Sequence, residues 1–326
     1  MPNVLEIDGL KTHIRLTRST VRAVDGVSLH IAEGETLGLV GESGCGKSMT
    51  AMSIIKLLPP GGSIVHGTIK LNGRDLIPLT DREMRKVRGL EVGMVFQDPM
   101  TSLNPTMTIG RQVAEALRIH SDVGDAEAAE RAAGVLDLVG MPRPRERLGD
   151  YPHQLSGGLR QRAVIAMALV CRPKLLIADE PTTALDVTIQ AQILDLLDSL
   201  RGELKMAMLL ITHDMGVIAG RADRVAVMYA GKIAEEAETT TLFQRMRHRY
   251  TEALVEAIPR LDHAAERELY TIPGLPPDLT AEMPACRFVA RCRNATELCH
   301  TEEPILIEHE PGHLYACHHP AGVAVA

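Results

Sequence analysis

Eight consecutive residues constrain this chain more than any other feature. Gly41-Glu42-Ser43-Gly44-Cys45-Gly46-Lys47-Ser48 fits the pattern GxxxxGK[ST], between an apolar run at 36–40 and a helical stretch at 48–58. A strand must end and a helix must begin at fixed points around such a loop, which demands an α/β core. Gly41, Gly44 and Gly46 let the backbone wrap, with Ser43 and Cys45 between them, so that successive N–H groups converge on an oxyanion. The helix that follows adds its positive end. Lys47 is expected on the β- and γ-phosphates of a bound nucleotide and the Ser48 hydroxyl on Mg²⁺. The plain alternative, a glycine-rich turn with a solvated lysine, gives no reason for the flanking strand and helix.

The remaining pattern agrees with an α/β core. Residues 4–7, 27–31, 67–72, 90–96, 175–178 and 208–212 read as strands, and Pro59-Pro60-Gly61-Gly62 stops the helix at 48–58. From 107 to 151 the chain turns to Ala, Glu, Arg and Leu at helical spacing, which predicts a helical insertion. Seven of the 19 prolines lie beyond residue 270, which predicts a separate, loop-rich C-terminal module. With 326 residues and 45% hydrophobic content, a disordered or fibrous chain is excluded.

Charge and hydropathy narrow the partners. Thirty-five basic against 42 acidic residues leave −7, so the chain has no general attraction for nucleic acid or anionic lipid. Its longest clean apolar run, residues 163–171, is nine residues, against the roughly 18 a spanning helix needs. Glu6 and Asp8 near the start argue against a secretory signal, and the cytoplasm is the expected compartment.

Two further segments carry chemistry. Leu175-Leu176-Ile177-Ala178-Asp179-Glu180 is an apolar strand ending in two carboxylates. Asp179 is placed to hold Mg²⁺ through its water shell, and Glu180, one residue on, to reach the attacking water as general base. Ser156-Gly157-Gly158 opens another helical run with a hydroxyl and two bare glycine amides, a second anion site. One nucleotide in one compact domain rarely needs both, so the two sites suggest a shared nucleotide.

Taken in order, the phosphate loop, Gln97, Ser156 to Gln161, Asp179-Glu180, Ala184-Leu185-Asp186 and His213 resemble the nucleotide-binding subunits of ABC transporters. The segments 95–105 and 178–188 are similar to the dipeptide, oligopeptide and nickel importer branch. The resemblance covers about residues 4–260 and implies a P-loop ATPase core with an antiparallel β subdomain and the helical insertion at 107–151. Residues 1–260 would then be the ATPase domain and 261–326 a Cys-rich C-terminal extension. It implies a head-to-tail dimer with a second copy or a paralogue, in which ATP on one loop is capped by Ser156, Gly157 and Gly158 of the other subunit. It also implies Gln97 sensing Mg²⁺ and water, His213 on the γ-phosphate, and Asp186 in a loop crossing the dimer interface. Two transmembrane permease subunits, an extracytoplasmic substrate-binding protein, and a peripheral site on the cytoplasmic face of the membrane follow from the same resemblance, with no nucleic-acid partner.

Two departures stand out. The signature runs Leu-Ser-Gly-Gly-Leu-Arg-Gln, where many members have Gln directly after the second Gly. The aromatic expected to stack on adenine is missing from 18–22, where Arg18 offers a guanidinium plane instead. A soluble ABC ATPase of DNA repair or translation would carry a long coiled coil or two cassettes, and a metal-binding regulator that merely keeps the cassette would have lost Lys47 or Glu180.

The tail holds four of the six cysteines. Cys286, Cys292, Cys299 and Cys317 are separated by five, six and seventeen residues. In a reducing compartment such a cluster reads as metal before disulfide. Four thiolates suit either tetrahedral zinc or an iron–sulfur cluster, and the spacing matches no common module of either kind. Residues 286–299 with Cys317 resemble the C-terminal extension of peptide-importer ATPases, which implies a [4Fe-4S] cluster, with Zn²⁺ as the alternative.

Overall fold

Residues 2–183, 185–258, 271–283 and 285–322 are described by the structure, a computed structural model. They group into two units, one of residues 1–5, 31–35 and 71–211 and another of 6–30, 36–70 and 212–326. Ala184, which belongs to one of the sequence motifs, and 259–270, where the two expected domains meet, lie outside the described residues.

The first unit is built on parallel strands. Leu175–Asp179 runs between Val92–Val95 and Ala207–Thr212, with Ala178 level with Val95 on one side and Leu210 on the other. All five of its residues are buried, which is why it reads as a continuous apolar run rather than an alternation. The strand expected over 90–96 is shorter because Leu90 and Glu91 finish the turn after the helix Asp81–Val87, where the Glu91 N–H donates to the Val87 carbonyl at 2.9 Å. Helix Gly157–Leu169 packs on Val92–Val95, closely enough that a Cβ at Gly93 would stand 2.4 Å from the Ala168 carbonyl oxygen.

Residues 107–151, read as an insertion, are helical. Ile109–His120, Asp125–Leu138 and Pro144–Arg147 fill residues 107–151, and no strand occurs there among the described residues. Ile109, Val113, Ala114 and Leu117 give the first of these helices a buried stripe, against Asp125–Leu138 and Gly157–Leu169.

The second unit contains the antiparallel subdomain. Asn3–Arg15 and Thr20–Ala32 form a hairpin closed by the Leu16 N–H on the Ser19 carbonyl. Gly62–Leu71 joins it running the opposite way to Asn3–Arg15, with Arg15 beside Gly61 and Gly9 beside Gly67. Thr36–Val40 pairs parallel with Arg224–Tyr229. From there the pairing turns antiparallel, through Lys232–Glu238 and His313–Tyr315 to Ile307–Glu310.

That last stretch departs from the separate, loop-rich module predicted from the prolines. His313–Tyr315 continues the second unit's sheet, placing Tyr315 level with Glu235. Glu235 is fully buried and accepts from the Arg247 N–H at 2.6 Å, the His248 N–H at 2.9 Å and His313 Nε2 at 2.7 Å. A buried carboxylate needs such donors to offset its lost hydration, so the tail is joined to this sheet by hydrogen bonding as well as by strand pairing. Among the described residues no helix is long and apolar enough to cross a membrane.

Candidate functional site

The phosphate loop lies in the second unit, between the end of Thr36–Val40 and the helix Lys47–Ile54. Gly46 is the N-cap in left-handed backbone, φ 112°, and a Cβ there would lie 2.2 Å from the Ala23 carbonyl oxygen. Gly41 is equally confined, 2.2 Å from the Met228 carbonyl oxygen by the same measure. Gly44 also takes positive φ, 79°, but faces open space. The sequence is glycine here for two reasons, conformation and room.

Lys47 is 4% exposed, and its ammonium donates to the Gly41 carbonyl at 2.7 Å and the Glu42 carbonyl at 3.0 Å. The cation therefore lies folded against its own loop, above the start of the helix. Ser43 is exposed, Ser48 half-buried, and Cys45 buried, its thiol pushed up by burial and pulled back by Lys47. The helix ends at Ile54, short of the predicted residue 58, because Lys56 turns left-handed at φ 51°.

Glu42 is fastened at three points. Its N–H donates to the Tyr250 hydroxyl at 2.8 Å, and its carbonyl takes the Lys47 ammonium. Its carboxylate receives both terminal nitrogens of Arg291, at 2.6 and 2.8 Å. Arg291 also donates to the Pro273 carbonyl at 2.9 Å and the Tyr229 hydroxyl at 3.3 Å. Sequence reading missed both Arg291 and Tyr250. No local pattern signals a contact across 249 or 208 positions, and Arg291 was read only as spacing between cysteines.

His213 follows Ala207–Thr212 and is exposed, in the turn that Asp214 closes by accepting from the Gly216 N–H at 2.7 Å. It belongs to the second unit with the phosphate loop. Arg18 is exposed in the hairpin turn after Leu16.

The other predicted residues lie in the first unit. Asp179 ends its strand, 3% exposed, and Glu180 follows in left-handed backbone at φ 46°, 9% exposed. Left-handed backbone at a non-glycine residue costs of order 1–3 kcal/mol and occurs where surrounding contacts impose it. Here the Glu180 N–H donates to the Ile211 carbonyl at 2.9 Å. Its carboxylate accepts from Gln97 Nε2 at 2.9 Å and the Thr183 hydroxyl at 2.9 Å. The structure thus brings Gln97 and Glu180 together and adds Thr183, a hydroxyl three residues on that the sequence reading did not single out.

Ser156 caps Gly157–Leu169, its hydroxyl accepting from the Leu159 N–H at 3.4 Å, and Ser156 and Gly157 are both exposed. Gly158 is crowded by Ile189, whose Cγ2 would stand 3.0 Å from a Cβ. Gln161, displaced from the usual position in the signature, is buried, and among the described residues its amide nitrogen has no hydrogen-bond partner. Asp186 is exposed and caps Val187–Leu204, accepting from the Ile189 N–H at 3.0 Å.

The four C-terminal cysteines are free thiols, none exposed. Burial pushes the Cys286 thiol up to about 11, and the other three thiols add to it. Burial also raises Cys292 and Cys317. Among the described residues no three or more His, Cys, Asp or Glu side chains stand where they could hold a metal ion. As arranged, the thiols do not make the ligand set expected for a cluster or for zinc. The oxygens expected around Mg²⁺, the Ser48 hydroxyl, the Asp179 carboxylate and the Gln97 amide, are the hard donors that ion prefers.

Comparison with known proteins gives two successive family matches, "ABC transporter" over residues 24–183 and "Oligopeptide/dipeptide transporter, C-terminal region" over residues 234–299. A probable peptide ABC transporter ATP-binding protein of Sinorhizobium fredii is 51% identical over 96% of this chain and 94% of its own. The oligopeptide transport ATP-binding protein OppD of Bacillus subtilis is 50% identical over 92% of this chain and 84% of its own. The dipeptide transport ATP-binding protein DppD of the same organism is 51% identical over 92% and 89%. Among solved structures, a dimeric ATP-binding cassette in a post-hydrolysis state with ADP and Pi superimposes with TM-score 0.65 at 28% identity, covering 72% of this chain and 98% of its own.

Proposed function

We propose, for a chain that belongs to the ATP-binding subunits of ABC transporters in the oligopeptide and dipeptide branch, that it hydrolyses ATP to drive uptake of di- or oligopeptides. The observation that carries the catalytic half of this reading is Glu180, held at the end of a buried strand by Gln97 and Thr183. Its carboxylate takes a proton from water, whose oxygen bonds to the γ-phosphorus. The bond from that phosphorus to the bridging oxygen breaks, and the electron pair leaves with ADP.

The residues of the loop do the binding. The amides of 41–48 surround the phosphates, with Gly41, Gly44 and Gly46 giving the turn and Ser43 and Cys45 adding N–H groups. Lys47 leaves its two carbonyls for the β- and γ-phosphates, and His213 reaches the γ-phosphate. Mg²⁺, where bound, neutralises charge developing between the β- and γ-phosphates, and Ser48, Asp179 and Gln97 are the residues that would hold it. The exposure of Ser156 and Gly157 supports a second subunit, copy or paralogue, closing Ser156, Gly157 and Gly158 over the triphosphate, with Asp186 at that interface. We place residues 1–260 as the ATPase and 261–326 as its extension. Two permease subunits and an extracytoplasmic binding protein complete the importer, with this chain at the cytoplasmic face.

The test is ATP-dependent uptake of labelled di- and oligopeptides by vesicles holding the permeases and this chain. Ser156→Arg should abolish it by placing a long cation at the partner's phosphates, while the variant's own loop still binds nucleotide. Mixed dimers in which both sites stay equally active would remove the head-to-tail arrangement.

For the four cysteines we keep a structural [4Fe-4S] cluster, with Zn²⁺ as the alternative, on the donor chemistry of four thiolates alone; holding either requires the thiols to leave their present arrangement. Anaerobic purification is expected to give a coloured protein with iron and sulfide in stoichiometric amounts. A colourless protein with one zinc refutes the cluster, and a metal-free one removes the site.

A further inference from the structure

The contacts of Glu42 join two parts of the sequence that neither family match relates. Glu42 is the first variable residue of the phosphate loop, and Arg291 lies in the short 3-10 turn Val289–Arg291, just before Cys292. Both belong to the second unit. The Arg291 side chain is 4% exposed and that of Glu42 27%, and the fork of the guanidinium meets both carboxylate oxygens. A bidentate pair of this kind fixes orientation as well as distance.

The surroundings of Arg291 are built to hold it. Its guanidinium lies 5.9 Å from the centre of the Tyr229 ring, and Tyr229 packs at 4.5 Å from Tyr250 and 5.3 Å, edge-on, from Phe288. Tyr250, itself fully buried, supplies the hydroxyl that takes the Glu42 N–H. Just ahead of that turn the chain is fastened a second time, by Arg287, which donates to the Ala230 carbonyl and pairs with Asp25. Burial pushes Asp25 up, but Arg287 and Lys11 outweigh it and hold the carboxyl at about 2. Near neutral pH the Asp25 carboxyl is therefore ionised.

We propose that Arg291, with Tyr250, is a positioning residue for the phosphate loop. The C-terminal extension is then a working part of the nucleotide site rather than an appendage, because it sets where Glu42, and through it the carbonyl holding Lys47, comes to rest. This rests on reading residues 41–48 as the ATP site. The Arg291 guanidinium is engaged by Glu42, Tyr229 and Pro273, so it acts through Glu42. Its effect is to keep the loop in one arrangement, so that phosphate binding does not first have to order it.

The experiment measures equilibrium ATP affinity, steady-state kcat and KM, and thermal midpoint for the full-length chain and three variants. Glu42→Gln keeps the shape and both backbone bonds of Glu42 but removes the charge that Arg291 grips. Arg291→Met keeps much of the buried stem, and Arg291→Lys keeps charge without the fork. Glu42→Gln and Arg291→Met are each expected to weaken ATP binding about 5- to 20-fold and to raise KM by a similar factor, with kcat changed less than about 3-fold. The double variant should be no weaker than the worse single one, since both break one pair. Arg291→Lys should recover part of the affinity. If Arg291→Met does not fold, Glu42→Gln decides alone. ATP affinity and KM unchanged in Glu42→Gln overturn the proposal, as does a lowered thermal midpoint with unchanged affinity. Parental protein that fails to bind ATP, or binds it equally after Lys47→Ala, instead removes the reading of the loop itself, so the two failures are told apart.

Discussion

Glu180→Gln is expected to lower ATP hydrolysis roughly 10²-fold or more while leaving ATP binding at the parental level. The substitution preserves shape, and its carbonyl oxygen can still accept from Gln97 Nε2 and the Thr183 hydroxyl, which lie 2.9 Å away in the parental chain. The left-handed turn at φ 46° is also kept by the same backbone bond to Ile211. What is lost is only the capacity to take a proton from water. With hydrolysis stopped and binding intact, an ATP-loaded dimer should accumulate. Phosphate release and light scattering measure the two halves separately, and a glutamine variant that turns over at the parental rate would end the assignment of Glu180 as base.

Gly46→Ala is expected to be severely damaging to the phosphate loop. The backbone there has φ 112°, and the added carbon would approach the Ala23 carbonyl oxygen to 2.2 Å and the Met228 terminal methyl to 2.6 Å. The first contact is backbone, which cannot turn aside as a side chain can. Left-handed backbone costs about 1–2 kcal/mol for an L-residue and forced overpacking typically 1–3, so a loss of about 2–5 kcal/mol is expected. Because the same residue caps the helix beginning at Lys47, ATP affinity should fall at least about 10-fold in whatever fraction folds. Gly44→Ala is the comparison, with positive φ but nothing within 4 Å, and its cost should stay near the conformational part alone. Chemical denaturation midpoints and nucleotide titration distinguish them. Equal losses at the two positions would mean that room at Ala23 does not limit the loop.

Much of the site was legible because its pieces are local. A loop that must wrap an anion needs glycines at fixed steps, and a strand that presents a carboxylate from a buried sheet needs an apolar run ending in acid. Both are patterns of neighbours, visible in 41–48 and 175–180 without any fold. The helical insertion was legible for a similar reason, since a stripe at Ile109, Val113 and Leu117 is a 3.6-residue period.

The strand Lys232–Glu238 was not. Glu235 and Glu236 are buried in it, and the register shifts between Ile233 and Glu235, so neither alternation nor an apolar run survives. Its acids are satisfied from outside the strand, Glu235 by His248 and His313, Glu236 by Arg224. A buried charge looks like a surface one until its donors are known. The same blindness hid the strand His313–Tyr315, three residues long, which is a strand because Lys232–Glu238 offers it an edge.

By itself, then, the sequence determined the phosphate loop, the carboxylate pair, the Ser156-capped helix start and the α/β class, because each depends on residues within one turn or one strand. Only the tertiary structure decided that Gln97 and Thr183 hold Glu180, that the C-terminal stretch continues the second unit's sheet, and that Arg291 and Tyr250 grip Glu42. Those contacts join residues as many as 249 positions apart. Their partners are chosen by which buried polar groups remain to be satisfied once the strands have paired, a condition that exists only in the folded chain.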